Sequence, residues 1–299
     1  TGANNTATGY NALNANTTGS LQVSMGFEAL KSNTTGGVNT AVGYKALNAN
    51  TTASNNTGIG SQALNKTTTG ADNTSVGSSS MENNTTGANN TAVGRLSLLF
   101  NTTGASNVSL GANSLRSNTT ASSNTAIGTN TLYANTTGAE NVAIGQGALS
   151  ANTTASYNVA VGRNALDLNT TGGSNTSVGS FALAANTTAS TNTAVGYASM
   201  QDNTTGANNV SLGYEALGDN TTAAGNAAAG YKALRLNTTG AFLSAFGAYA
   251  LYNNTTGSNN TAVGYGSLDS NTTGSANAAV GLSCLNTNTT GNHNNALGY

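Results

Sequence analysis

The stretch Asn33-Thr34-Thr35-Gly36-Gly37-Val38-Asn39-Thr40-Ala41-Val42-Gly43-Tyr44-Lys45-Ala46-Leu47-Asn48-Ala49 decides the fold, because the chain repeats it from end to end. Its leading Asn-Thr-Thr stands at residues 16, 33, 50, 84, 101, 118, 135, 152, 169, 186, 203, 220, 237, 254, 271 and 288, and Thr67-Thr68-Thr69 fills the one remaining place. The period is 17 throughout, with no insertion or deletion. The 299 residues therefore read as a 15-residue partial unit, sixteen full units and a 12-residue partial unit, one continuous array over 1–299 without separate domains. Positions are numbered one to seventeen from the Asn of the triplet.

Seventeen residues are too few for the helix pair of a helical solenoid, and Asn, Thr and Gly are poor helix formers. Positions eight to ten, as in Val142-Ala143-Ile144 and Val159-Ala160-Val161, alternate large, small, large, the period of a strand. The expectation is an all-β, parallel β-solenoid with one coil per repeat, positions eight and ten facing inward. Position fifteen is Leu, or Met at Met81 and Met200, and position fourteen is Ala or Ser except at Thr131 and Cys284, which predicts a second inward wall. Position eleven is Gly in every copy, from Gly9 to Gly298, as a positive φ or a close chain approach would require. All Lys, Arg, Asp and Glu fall at positions six, twelve, thirteen, sixteen or seventeen, for example Glu140, Arg95, Lys45, Asp167 and Asp219, so these mark the solvated rim. Position one is Asn except at Thr67, and position seven is Asn except at Gln22 and Leu243, which predicts stacked amide ladders, with Asn also suited to left-handed corners. At neighbouring strand spacings of ~4.8 Å, about 17 coils make a rod roughly 80 Å long.

Composition excludes several function classes. Charged residues are 6% of the chain, against about a quarter in ordinary soluble domains, and the net charge is −1. Eight cations cannot form the basic face that binds nucleic acid. No run approaches the ~20 apolar residues of a transmembrane helix, so no membrane insertion by this segment is expected. One Cys and one His leave no disulfide and no zinc set, and no cofactor is expected. Carboxylates are scattered singly, and no Ser-His-Asp set or phosphate loop appears, so the chain reads as non-catalytic. His293 reads as a surface residue and Cys284 as a compact buried one.

The run Asn-Thr-Ala-Val-Gly followed two residues later by a small residue and Leu or Met, at 39–47, 90–98, 192–200 and 260–268, resembles the head repeats of trimeric autotransporter adhesins, and related repeats of phage tail-fibre-like and bacterial surface proteins. The resemblance implies a left-handed, β-roll-like solenoid and an extracellular or surface-exposed fibre with a spacer, display or adhesion role. It implies copies of the chain itself as partners, in a lateral trimer. The array starts at position three and stops at position twelve without a divergent capping unit, which predicts continuation into further repeats or end-to-end stacking on another copy. The rival readings are a glycan-binding or host-surface-binding adhesin, a phage tail-fibre shaft, and an ice-binding Thr array.

Two sets of residues are candidate sites. Asn-Thr-Thr matches the N-glycosylation pattern, so Asn16, Asn33, Asn50, Asn84, Asn101, Asn118, Asn135, Asn152, Asn169, Asn186, Asn203, Asn220, Asn237, Asn254, Asn271 and Asn288 are candidate acceptors, in competition with a purely structural role. Position twelve carries Tyr10, Phe27, Tyr44, Tyr197, Tyr214, Tyr231, Tyr265 and Tyr299, a candidate stripe for stacking on surface glycans or a neighbouring chain, or a rim filled by good β-formers. In the unit from 237 to 253, Phe242, Leu243 and Phe246 replace small or polar residues, and an inward Phe246 predicts a swollen coil or a packed partner.

Overall fold

The computed structural model describes residues 2–299 and is a β-solenoid with one 17-residue coil per repeat. It divides into two compact units, Thr1–Thr154 and Ala155–Tyr299. Unit 1 holds nine three-residue strands, β1 (Thr6–Thr8) to β9 (Val142–Ile144), and unit 2 holds nine more, β10 (Val159–Val161) to β18 (Asn295–Leu297). All lie at positions eight to ten, and no helix occurs among the described residues. Within each unit, strands pair in parallel with the next coil and in register with the repeat, as in Thr40↔Thr57 and Val42↔Ile59, or Thr176↔Thr193 and Val178↔Val195.

Coil-to-coil bonding extends around the perimeter beyond the strands. The Leu30 and Ser32 amides donate to the Ala46 and Asn48 carbonyls of the coil ahead, and the Gly43 and Lys45 amides donate to Met25 and Phe27 of the coil behind, all at 2.8–3.1 Å. This is how a chain of three-residue strands satisfies its backbone without long ladders.

The alternation of the strands was legible, but its inward face is the opposite of the one expected. Positions eight and ten are half-buried or exposed, and the small residue at position nine is the one that is sealed, as at Ala41, Ala92, Ala143 and Ala194. The interior is narrow. Leu at position fifteen is fully buried wherever coils cover it, for example Leu47, Leu149 and Leu217, and with the small residues at nine and fourteen it fills the space. Positions nine and fourteen meet directly across this core, where Ser97 Oγ and Ser109 Oγ lie 2.7 Å apart. A second Val or Ile per strand would overfill it, so β-branched residues line the outer sheet surface instead.

Phe246 follows the same rule. It points outward at 47% exposure, and its strand, β15 (Ser244–Phe246), keeps its in-register pairing on both sides, so the coil is not swollen. Phe242 is exposed as well, and only Leu243 is buried.

Three left-handed corners recur along the array, without glycine except at Gly147, Gly225 and Gly266. Positions six, thirteen and fifteen adopt left-handed backbone, as in Val38 (φ 57°), Lys45 (φ 53°) and Leu47 (φ 51°). Positions one and seven do not, so the Asn columns are not the corners that left-handed Asn would have made. A buried Leu in this conformation is unusual, because L-residues there cost roughly 1–2 kcal/mol. Burial of the whole side chain, worth about 1.5–3 kcal/mol, offsets that cost. Position eleven needs glycine on both expected grounds. Gly77 has φ 134°, and a Cβ there would meet the Gly94 carbonyl oxygen at 2.6 Å.

Candidate interaction surfaces

Three structures built by the repeat were assigned to function or to fold from the sequence: the Asn columns, the Thr columns and the aromatic stripe. The Asn columns are internal. From Asn33 to Asn271 every position-one Asn is 0% exposed. Asn101 is representative: its Nδ2 donates to Asn84 Oδ1 of the previous coil at 2.8 Å and to the Gly104 carbonyl three residues on at 2.9 Å. Position seven forms a parallel ladder, with the Asn90 amide donating to Asn73 Oδ1 at 3.0 Å and Asn90 Nδ2 to the Gly104 carbonyl at 2.9 Å. Both ladders thus converge on one carbonyl per coil and fill both of its lone pairs.

This geometry weighs against glycosylation of the folded chain. A glycan is attached through Nδ2, and at the fully buried positions, Asn33, Asn50, Asn84, Asn101, Asn118, Asn135, Asn152, Asn169, Asn186, Asn203, Asn220, Asn237, Asn254 and Asn271, that atom faces the interior. Asn16 and Asn288 are only half-buried, yet their Nδ2 atoms also donate inward, to the Gly19 and Gly291 carbonyls. A sugar on any of them would break the ladder and have no room.

The two Thr columns part company. Position-two hydroxyls tie coils together, as Thr34 Oγ1 donates to the Thr51 carbonyl at 2.9 Å, while position-three threonines such as Thr35, Thr52 and Thr86 are exposed. Only one of the adjacent columns therefore presents hydroxyls to solvent, as the alternation of side chains requires.

The aromatic stripe is assembled, in two separate stacks. In unit 1, Tyr10, Phe27 and Tyr44 stack at centroid separations of 5.3 and 5.5 Å with planes within 17°. In unit 2, Tyr197, Tyr214 and Tyr231 stack at 5.3 and 5.4 Å with planes within 15°. Tyr265 joins edge-on through Tyr249 at 5.9 Å, and Tyr299 stands in solvent at 98% exposure. Because the rings face one another, the faces of the middle rings Phe27 and Tyr214 are taken up within the stacks, while the end ring Tyr10 is 67% exposed. Lys45 and Lys232 ammonium groups lie 5.3 Å over the Tyr44 and Tyr231 rings.

Sequence reading missed what flanks these stacks. Phe181, Tyr249 and Tyr252, at positions thirteen and sixteen, extend the contacts in unit 2. Beside each stack sits an acid–base group that links consecutive coils: Glu28 meets Lys45 of the next coil at 3.7 Å and Lys31 of its own at 2.7 Å, and Glu215 meets Lys232 at 3.6 Å and Arg235 at 3.2 Å of the next coil, the last also paired with Asp219. The available signal was opposite charge at the same position 17 residues apart. The hydrogen bond from Lys31, opposed in part by desolvation and aided by the Lys31 and Lys45 charges, holds the Glu28 carboxyl below its ordinary range. Desolvation pushes Glu215 upward, but hydrogen bonds from Tyr214 and Arg235 and the two cationic charges leave it lowered. The Tyr214 phenol is raised in turn, chiefly by its hydrogen bond to Glu215.

The remaining surface is shallow. A depression of about 350 Å³ in unit 1 is lined by Asn113, Asn130, Tyr133 and Ser150. Among the described residues there is no cluster of three His, Cys, Asp or Glu side chains able to hold a metal, and no helix long and apolar enough to cross a membrane. His293 is exposed, and Cys284 is buried, as expected of both. Comparison with protein-family models, with curated proteins and with solved structures finds no match to this chain.

Proposed function

We propose that the chain is a non-catalytic structural segment of an extracellular or surface-exposed fibre, acting as a spacer or display element that associates laterally with copies of itself. The observation that carries this reading is the direction of its bonding. Both Asn ladders, the position-two hydroxyls and the backbone around the coil all join one coil to the next, the arrangement of a load-bearing stack. Repeats of this kind gain stability by adding neighbours, which suits length more than a single binding pocket.

Lateral association is supported by the outer sheet surface. In unit 1 from Thr40 to Ile144, positions eight and ten present Thr, Val, Ile and Leu without a single charge. Ile59, Val93 and Ile144 are among its exposed members, an apolar strip of the kind that marks protein contacts. The resemblance to trimeric adhesin heads points the same way. The adhesin reading, with glycans as ligands, draws less support, since the aromatic rings spend their faces on one another.

Sedimentation and electron microscopy of the purified chain test the proposal. The wild type is expected to sediment above the 29.3 kDa of one chain. Val93→Lys with Ile127→Lys, both outward, should return it to a single chain with unchanged circular dichroism. A wild type that remains a single chain at micromolar concentration refutes lateral association.

A further inference from the structure

We propose that the tyrosine stack of unit 2 is an oxidative cross-linking site, where one-electron oxidation joins Tyr214 to Tyr197 or Tyr231 and so ties neighbouring coils covalently. Three observations carry this. The three phenols occupy the same position on consecutive coils, and the pairing of the strands before them, β12 (Thr193–Val195), β13 (Val210–Leu212) and β14 (Ala227–Ala229), holds them in register. Their centroids are 5.3 and 5.4 Å apart with planes 15° and 14° from parallel, so each ring lies against its future partner. Tyr214, in the middle, is 43% exposed, which leaves its edge open to an oxidant.

The chemistry balances with a peroxidase and hydrogen peroxide as the oxidant class. Each of two phenols gives up one electron and its hydroxyl proton, producing two phenoxyl radicals. The radicals couple through a carbon–carbon bond between positions ortho to oxygen. The two ring hydrogens at those positions then shift to the oxygens, restoring both phenols. The two electrons and two protons released convert one hydrogen peroxide into two waters. Tyr249, in ring contact with Tyr231, Tyr252 and Tyr265 at 5.4–5.9 Å, enlarges the set of phenols from which a radical can reach the stack by electron exchange between touching rings.

Unit 1 supplies an internal comparison. Its stack has the same geometry, but Phe27 sits between Tyr10 and Tyr44 and has no hydroxyl to oxidise.

The test treats the dilute 299-residue chain with a haem peroxidase and hydrogen peroxide, then measures dityrosine fluorescence and maps the links by mass spectrometry. Links 197–214 and 214–231 are expected in species of single-chain mass. Tyr214→Phe, which keeps the ring, should abolish both, and Phe27→Tyr should create new links among residues 10, 27 and 44. The proposal is overturned if the links fall instead on the solitary exposed residues Tyr157 and Tyr299 between chains. It is equally overturned if Phe27→Tyr adds no link in unit 1 while its circular dichroism matches wild type.

Discussion

Thr67 is the single interruption of the position-one ladder, and restoring Asn there should stabilise the protein. In the wild type, Asn50 Oδ1 is buried with no hydrogen-bond partner, because the residue that should donate to it, one coil ahead, is Thr. Asn84 Nδ2 reaches Thr67 Oγ1 only at 3.5 Å, whereas the equivalent ladder bonds to Asn, such as Asn118 to Asn101, are 2.9 Å. The Gly70 carbonyl keeps its bond from Asn56 Nδ2 at 2.9 Å but has no donor from position one. Thr67→Asn would supply a donor to Asn50 Oδ1 and to the Gly70 carbonyl and tighten the Asn84 contact. A net hydrogen bond is worth about 0.5–1.5 kcal/mol, and leaving a buried acceptor unsatisfied costs about 1–3 kcal/mol, so the gain should be about 2 kcal/mol. Because repeat arrays open unit by unit, the sensitive assay is native-state hydrogen exchange over residues 50–84. At 1.4 kcal/mol per factor of ten, protection there should rise by more than about tenfold. The reverse change, Asn118→Thr, should lower protection over 101–135 by a similar factor. Unchanged or faster exchange in Thr67→Asn would show that the ladder is a by-product of packing and not a source of stability.

Three further outcomes follow from the same geometry. Leu149→Asp places an unpaired charge in a fully buried site and should cost several kcal/mol, read as lost exchange protection across 118–154. Gly77→Ala combines a φ of 134° with a backbone clash and should lower the melting temperature far more than Ser78→Ala on the exposed rim; equal shifts would remove the conformational requirement at position eleven. Burial raises the Asp269 carboxyl, and its Oδ1 has no partner, so the folded state binds this proton more tightly than the unfolded chain. Its ionisation therefore opposes folding as pH rises through the carboxylate range, and Asp269→Asn should raise the melting temperature at neutral pH while leaving it nearly unchanged in acid.

The period, the strand positions and the identity of the Leu wall were legible because each is a matter of recurrence, and recurrence is visible without coordinates. The direction of the strand face was not. Alternation at Thr40-Ala41-Val42 states that two residues face one way and one the other, but only the width of the interior decides which, and that width is set by Leu47 and Ala46 on the opposite side of the coil. The burial of the Asn-Thr-Thr amides was hidden for a related reason. Asn-Thr-Thr is the same string whether its amide points out to an enzyme or inward to Asn84 Oδ1 and the Gly104 carbonyl. The left-handed backbone of Leu47 had no signal either, since Leu rarely adopts it and packing alone enforces it here. The aromatic stripe was legible as a column, and its stacking follows from the register, but its Glu28–Lys45 and Glu215–Lys232 flanks required comparing charges one period apart.

Those flanks matter for a reason peculiar to a uniform repeat. If a coil looped out, the chain on either side could pair again one repeat out of step, and the Asn, Thr, Gly and Leu positions would meet residues of the same type as before, except at breaks in the columns such as Gln22, Thr67 and Leu243. The ladders that give the solenoid its strength are therefore blind to register. Discrimination comes from positions that differ between units. In native register Glu28 meets Lys45 and Phe27 meets Tyr44, whereas a one-coil slip sets Glu28 against Gln62 and Phe27 against Ser61. In unit 2 the same slip past Lys232 would set Glu215 against Tyr249 and Tyr214 against Ala248. A surface ion pair contributes only about 0–1 kcal/mol and an aromatic stack about 0.5–1.5 kcal/mol, small against a whole coil of hydrogen bonds. They nonetheless separate two pairings whose ladder contributions cancel. The permissive rim, which adds least to the strength of the stack, thus holds most of the information about which coil lies next to which.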